Sequence, residues 1–175
     1  ASVVPDIQPK LVALAHRGFD LVPLCVDGSN VDLGIAINIE RPEQAGADRL
    51  VNAVAAAAWH NLPAIVVDFG TATTLDLIGP KGAYEGGIIA PGVNLSIEAL
   101  YMAAARLPRI AVKPWQRDMP VLGTDTISAM QSGVFWGYVG MVEGLLARLR
   151  HSYGADLPAI VTGGLAPLFA DHING

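Results

Sequence analysis

Hydrophobic and polar positions follow two rhythms along this chain, one close to the helical period and one alternating, and each predicts an element. Residues 5–18, PDIQPKLVALAHRG, carry apolar positions at helical spacing and predict a helix. LVPLCV and LGIAINI, parted by the turn-rich DGSN, predict strands. GADRLVNAVAAAAWH predicts a helix that begins near Asp48 and stops ahead of Pro63, since proline lacks the N–H that would continue the ladder.

From Ala64 the rhythm changes. AIVVDF, TTLDLI and AYEGGIIA follow one another through short glycine-containing connections. Parallel pairing needs a crossover of about a dozen residues or more, so these runs predict an antiparallel meander. A helix from about Val93 to Leu107 comes next. After a proline-punctuated stretch, one long helix is predicted from Thr124 to about Arg150. Its Gly133, Gly137, Gly140 and Gly144 lie largely on one side, which permits close approach of another element at a helix-propensity cost of about 1 kcal/mol each. PAIVTGG predicts a closing strand and LAPLFADHI a closing helix. The chain is therefore of the α/β class, and the composition break near Pro63 divides it into residues 1–63 and 64–175.

Composition narrows the partners. Of 175 residues, 52% are hydrophobic and 15% charged, a lean surface that predicts a covering partner chain. The net charge is -5 and the 11 lysines and arginines are scattered, so no basic stripe exists to neutralise a nucleic-acid backbone. The single Cys25 lies in an apolar run and reads as a buried, reduced thiol, in keeping with the cytoplasm. ASVVPDIQPK does not read as a signal peptide. SGVFWGYVGMVEGLLARL contains Glu143 and falls short of the roughly 20 apolar positions a membrane span requires, so it reads as a buried helix and no membrane partner is expected.

Four stretches carry candidate chemistry. In DFGTATTLD, Asp68 to Asp76, the amides around Gly70 and the hydroxyls of Thr71 and Thr73 can form a nest for an anionic oxygen, while Asp68 can hold a cation. On local sequence alone a plain hairpin whose threonines are good strand formers is the favoured reading. In GADR, Asp48 is either a first-turn acid favoured by the helix N-terminus or a base for an alcohol, paired with the cation of Arg49. TGG, Thr162 to Gly164, ends a strand, where glycines let a ring or phosphate approach the backbone or simply connect two elements. GGIIAPG, Gly86 to Gly92, suits close packing against a ligand or subunit, or a tight corner. His16, His60, His151 and His172 have no ligand-like spacing, so a zinc site is not expected. Neither a Walker A loop nor a G-x-G-x-x-G is present.

The order GADR, DFGTATTLD, GGIIAPG, TDTISAMQSG, TGGLAP closely resembles the type III pantothenate kinases, which include proteins called Bvg accessory factors. The resemblance spans nearly the whole chain. It implies the fold of the acetate kinase, sugar kinase, Hsp70 and actin superfamily, two ribonuclease H-like lobes around ATP, here truncated. Residues 1–63 would be the remainder of the N-terminal lobe and 64–175 the C-terminal lobe. It implies phosphorylation of pantothenate, the first step of coenzyme A biosynthesis, with Asp48 as general base and Gly46, Ala47, Asp48, Arg49 and Thr126 on pantothenate. Gly70, Thr71, Gly163 and Gly164 would contact ATP, Asp68 would bind an activating potassium or ammonium ion, and magnesium would travel with the nucleotide. GGIIAPG would form part of a homodimer interface.

The chain departs from the family pattern in three places. The family's opening phosphate loop, D-x-G-N-T, is not found in it, and a short closing segment also falls outside, so the isolated chain is expected to show little turnover. Ile39 stands where many members place a tyrosine near the substrate. These departures keep open a non-catalytic dimerising or regulatory homologue. A ribonuclease H-like nuclease with Asp68 and Asp76 as metal ligands is a third reading, disfavoured by the acidic charge.

Overall fold

In the computed structural model, the described residues are 7–26, 31–104, 106–154 and 156–173. The elements run α1 (Gln8–Phe19), α2 (Ala47–Trp59), β1 (Ala64–Phe69), β2 (Ala72–Ile78), β3 (Tyr84–Pro91), α3 (Val93–Ala103), α4 (Thr126–Tyr153), β4 (Ala159–Thr162) and α5 (Ala166–Phe169). Short 3₁₀ turns occupy Pro42–Gln44 and Ala170–His172. The strands form one sheet in the order β3-β2-β1-β4, a mixed α/β arrangement. Two compact units emerge, residues 1–64 with 76–86, and residues 65–75 with 87–175.

In the first unit, α1 carries apolar side chains but none of its residues is buried. It closes at Asp20, whose left-handed φ of 53° lets the Leu21 N–H reach the Ala15 carbonyl. LVPLCV does not form the strand its composition predicts: among the described residues no strand pairs with it, and Leu21, Val22 and Leu24 are exposed. A strand is stable only where its backbone groups find partners, and propensity does not supply them. Cys25 is accordingly half-buried rather than buried.

LGIAINI comes closer to its expected form. Its burial alternates, and it joins β3 through one parallel bridge, Ile37 to Tyr84, with the Tyr84 N–H donating to Ala36 and the Asn38 N–H to Tyr84. α2 starts just after its N-cap Gly46 and buries Leu50, Ala53 and Ala56 along one face, as helical spacing requires.

In the second unit, β1 is buried from Ile65 to Val67 and again at Phe69. It pairs in parallel with β4, Ile65 facing Ala159 and Asp68 facing Thr162. Only Gly70 and Thr71 separate β1 from β2, and in the first unit the Gly79 N–H closes onto Ala83 between β2 and β3. Connections this short join antiparallel neighbours, as predicted. The core is aromatic: Phe169 stacks on Phe69 at 4.9 Å and on Phe135 at 5.1 Å, and Trp115 stacks on Phe135 at 5.4 Å.

α4 begins at Thr126 because Asp125 caps it, accepting from the Ile127 and Ser128 amides while Ser128 Oγ accepts from the Asp125 N–H. Three of its glycines have no neighbour within this chain: a Cβ built on Gly133, Gly137 or Gly140 meets nothing within 4 Å. That face is open among the described residues. LAPLFADHI splits into α5 and a 3₁₀ turn rather than one helix. No helix among the described residues is long and apolar enough to cross a membrane.

Candidate functional site

Each unit gathers part of the predicted chemistry. In the first, Gly46 is the extended N-cap of α2, and Asp48 lies in the first turn, accepting the Arg49 amide at 2.9 Å. The Asp48 carboxylate folds back over Gly46 so closely that a Cβ there would stand 2.6 Å from its Oδ1. Glycine at 46 therefore makes room for the carboxylate, which remains exposed. Ala47, beside it in the sequence, is buried.

Arg49 turns the other way. Its Nε and Nη2 donate to Asp76 Oδ1 at 2.8 and 2.5 Å, and the Tyr84 hydroxyl donates to the same oxygen at 3.0 Å. The guanidinium also lies 5.5 Å from the centre of the Tyr84 ring. Asp76 is wholly buried and Tyr84 nearly so. Burial works against the Arg49 charge, but the hydrogen bond and charge of Asp76 prevail and hold its pKa above the ordinary arginine value. Burial and then the Asp76 carboxylate push the Tyr84 phenol well above the ordinary tyrosine range. The sequence reading of Asp76 reached only a possible metal ligand. Its Oδ1 instead accepts three hydrogen bonds, two from a cation, which is the environment of a structural counter-ion.

In the second unit, the DFGT and TGG turns meet. Gly163, at φ +96°, sits so close to the end of β1 that a Cβ would lie 2.4 Å from Asp68 Oδ1 and 2.6 Å from the Phe69 backbone. The next glycine, Gly164, lines a cavity of about 570 Å³ together with Gly70, Thr71, Asn94 and Leu95. Gly70 and Thr71 are exposed at its rim. Gly92 fixes the opposite side: a Cβ on it would stand 1.9 Å from the Thr71 carbonyl, so only glycine lets the start of α3 press on this turn.

Asn94, on the first turn of α3, escaped the sequence reading, although its place just after GGIIAPG was a usable signal. Thr126 lines a different cavity, a groove of about 750 Å³ shared with Ser96, Met130, Gly133 and Tyr138. There the Tyr138 hydroxyl donates to the Pro91 carbonyl at 3.0 Å and lies 2.5 Å from Ser96 Oγ.

The residues suit a nucleotide and a hard cation. Small glycines, backbone amides and the Thr71 hydroxyl around one cavity are the donors that phosphate oxygens take. Asp68, with Thr162 beside it in register, offers the all-oxygen chemistry of a hard cation. Among the described residues no group of three or more His, Cys, Asp or Glu side chains could hold a metal by themselves.

The family model described as type III pantothenate kinase matches residues 1–148. Proteins named type III pantothenate kinase from Paramagnetospirillum magneticum and Rhodospirillum rubrum are 54% and 55% identical over 171 residues, each covering 98% of this chain. A third, from Caulobacter vibrioides, is 53% identical over 169 residues, 97% of this chain. The chain spans 64–65% of the length of these curated relatives. Among solved structures, a Baf family protein from Campylobacter jejuni shares the fold, with a TM-score of 0.61 at 20% identity over 99% of this chain and 71% of that one. The extent of the family match and the identity to these relatives together place the chain in the type III pantothenate kinase family.

Proposed function

We propose that the full-length protein containing this chain transfers the γ-phosphoryl group of ATP to the terminal hydroxyl of pantothenate, opening coenzyme A synthesis in the cytoplasm. The observation that carries this reading is the convergence of the DFGT and TGG turns, distant in sequence, on one cavity lined by Gly70, Thr71 and Gly164. ATP supplies the phosphoryl group; the protein supplies alignment and charge stabilisation, which dominate the catalysis of phosphoryl transfer.

In this reading the Thr71 amide and hydroxyl hold phosphate oxygens, Gly70, whose N–H donates to the Ala72 carbonyl, lets the phosphates approach the backbone closely, and Gly163 and Gly164 do the same for the adenosine. Asn94 and the positive end of α3 border the same cavity. The exposed Asp48 carboxylate accepts the proton of the attacking alcohol. Gly46, Ala47, Arg49 and Thr126 contact pantothenate. Asp68 binds potassium or ammonium, and magnesium is held chiefly by the phosphates.

The same reading assigns residues 1–63 and 64–175 to two ribonuclease H-like lobes of the acetate kinase, sugar kinase, Hsp70 and actin superfamily. It also pairs two copies through GGIIAPG. Support for that interface comes from β3, an edge strand whose Ile89 is 65% exposed.

The test is ADP release by the full-length protein, measured with and without pantothenate and with and without potassium. Release that requires pantothenate and rises with potassium is the expected result. No pantothenate-dependent release under either condition overturns the assignment.

A further inference from the structure

We infer that Asp76 and Tyr84 are positioning residues that hold the Arg49 guanidinium with its outer edge set to receive the substrate carboxylate. The inference rests on the pantothenate kinase reading and extends it to two side chains outside GADR.

The arrangement is built in layers. Tyr84 is anchored by its backbone, whose N–H and carbonyl pair with Ala36 and Asn38. Its hydroxyl then donates to Asp76 Oδ1, and its ring lies beside the guanidinium. Asp76, wholly buried, takes Nε and Nη2 of Arg49 on that same oxygen. Both bonds come from one side of the guanidinium plane's edge, and Nη1 takes part in neither. The Arg49 side chain keeps 13% of its surface accessible.

Two consequences follow from this geometry. An arginine reaching a ligand from the open surface must freeze several torsions on binding; Arg49 is already frozen, so it meets the ligand at lower entropic cost. Its planar fork matches a carboxylate, and the carboxylate is the charged group of pantothenate. Asp76 also neutralises much of the Arg49 charge at short range. Recognition then depends on directional hydrogen bonds more than on net attraction, and a neutral substrate gains nothing from the arrangement.

Kinetics of the full-length protein test this with pantothenate, with pantothenol, in which an alcohol replaces the carboxylate, and with ATP. Tyr84→Phe is the decisive variant because it keeps the buried ring and deletes only the hydroxyl that holds Asp76. It should raise KM for pantothenate about fivefold and leave kcat, KM for pantothenol and KM for ATP within about twofold. Arg49→Lys, which keeps the charge and loses the fork, should raise KM for pantothenate more than Tyr84→Phe does.

Equal increases for pantothenate and pantothenol would reveal a merely structural role and overturn the inference. A selective rise in KM for ATP would place Arg49 on the nucleotide and do the same. Wild-type turnover with an unchanged pantothenate-to-pantothenol ratio in both variants overturns the inference and leaves the kinase reading standing. Absence of both turnover and calorimetric pantothenate binding in the wild type overturns the two together.

Discussion

Arg49 and Asp76, 27 positions apart, form a bifurcated ion pair in which two guanidinium nitrogens share one carboxylate oxygen. With Asp76 wholly buried and the Arg49 side chain 13% accessible, neither charge has water enough to replace its partner. Asp76→Ala in the full-length protein is therefore expected to cost about 3–5 kcal/mol in urea unfolding, because it strands the Arg49 charge. Replacing both, Asp76→Leu with Arg49→Met, should recover much of that loss. A single-variant loss below about 1 kcal/mol would contradict the burial of this pair.

The glycines separate into two kinds, and substitution to alanine distinguishes them. Gly163→Ala forces a side chain into a left-handed backbone and within 2.4 Å of Asp68, so a loss of about 2–4 kcal/mol is expected. Gly137→Ala adds a methyl group to open space on α4 and should stabilise an isolated subunit by about 0.5–1 kcal/mol through helix propensity. Thermal unfolding of the two variants gives opposite signs in this account. Destabilisation by Gly137→Ala would show that something packs on that face.

Tyr84 makes stability fall at alkaline pH. Its folded-state pKa is raised above the ordinary value of 10.0, so the native state keeps the phenolic proton where the unfolded state has lost it. The stabilisation it contributes is complete below about pH 10 and declines as pH rises beyond that. Comparing urea midpoints of wild type and Tyr84→Phe from pH 8 to pH 11.5 should show a steeper alkaline decline in the wild type. Parallel curves would sink the argument.

Asp125 acts at the acid end. Hydrogen bonds from the Ser128 side chain and amide, with a third from the Ile127 amide, lower its pKa below the ordinary 3.8. The contribution is present above that value and disappears as pH falls through the lowered one. Asp125→Ala should reduce the melting temperature by a few degrees at neutral pH. The gap to wild type should narrow below about pH 3.8, followed by circular dichroism. A gap independent of pH would show that the cap does not act through the ionised carboxylate.

Elements with strong local signals were legible before the structure. AIVVDF became β1 with the same bounds, and β2, β3 and α2 lie within about one residue of expectation, because glycine and proline punctuate them. LVPLCV failed because a strand depends on a neighbour that composition does not reveal. For the glycines of α4, helical spacing located them on one side, but what faces that side is a tertiary matter that spacing does not give.

At the candidate site, the sequence located the motifs and not their partners. GADR and TTLDLI were both in view, yet nothing in either shows that Arg49 reaches inward to Asp76 while Asp48 stays outside. Gly92 was visible as part of GGIIAPG, but the Thr71 carbonyl that demands a glycine there emerges only when α3 meets the β1–β2 turn. Asn94 was overlooked although it directly follows the GGIIAPG corner, because its part in the cavity emerges only when α3 meets the β1–β2 turn.

Phosphorus-31 NMR of the full-length protein with ATP, magnesium, potassium and pantothenate is the most direct test of the central claim. A phosphomonoester resonance is expected to grow as the γ-phosphate resonance decays, only when pantothenate is present, and to be reduced at least about a hundredfold in rate by Asp48→Asn. Loss of the γ-phosphate signal without a new phosphomonoester, or undiminished product formation by Asp48→Asn, would contradict the account.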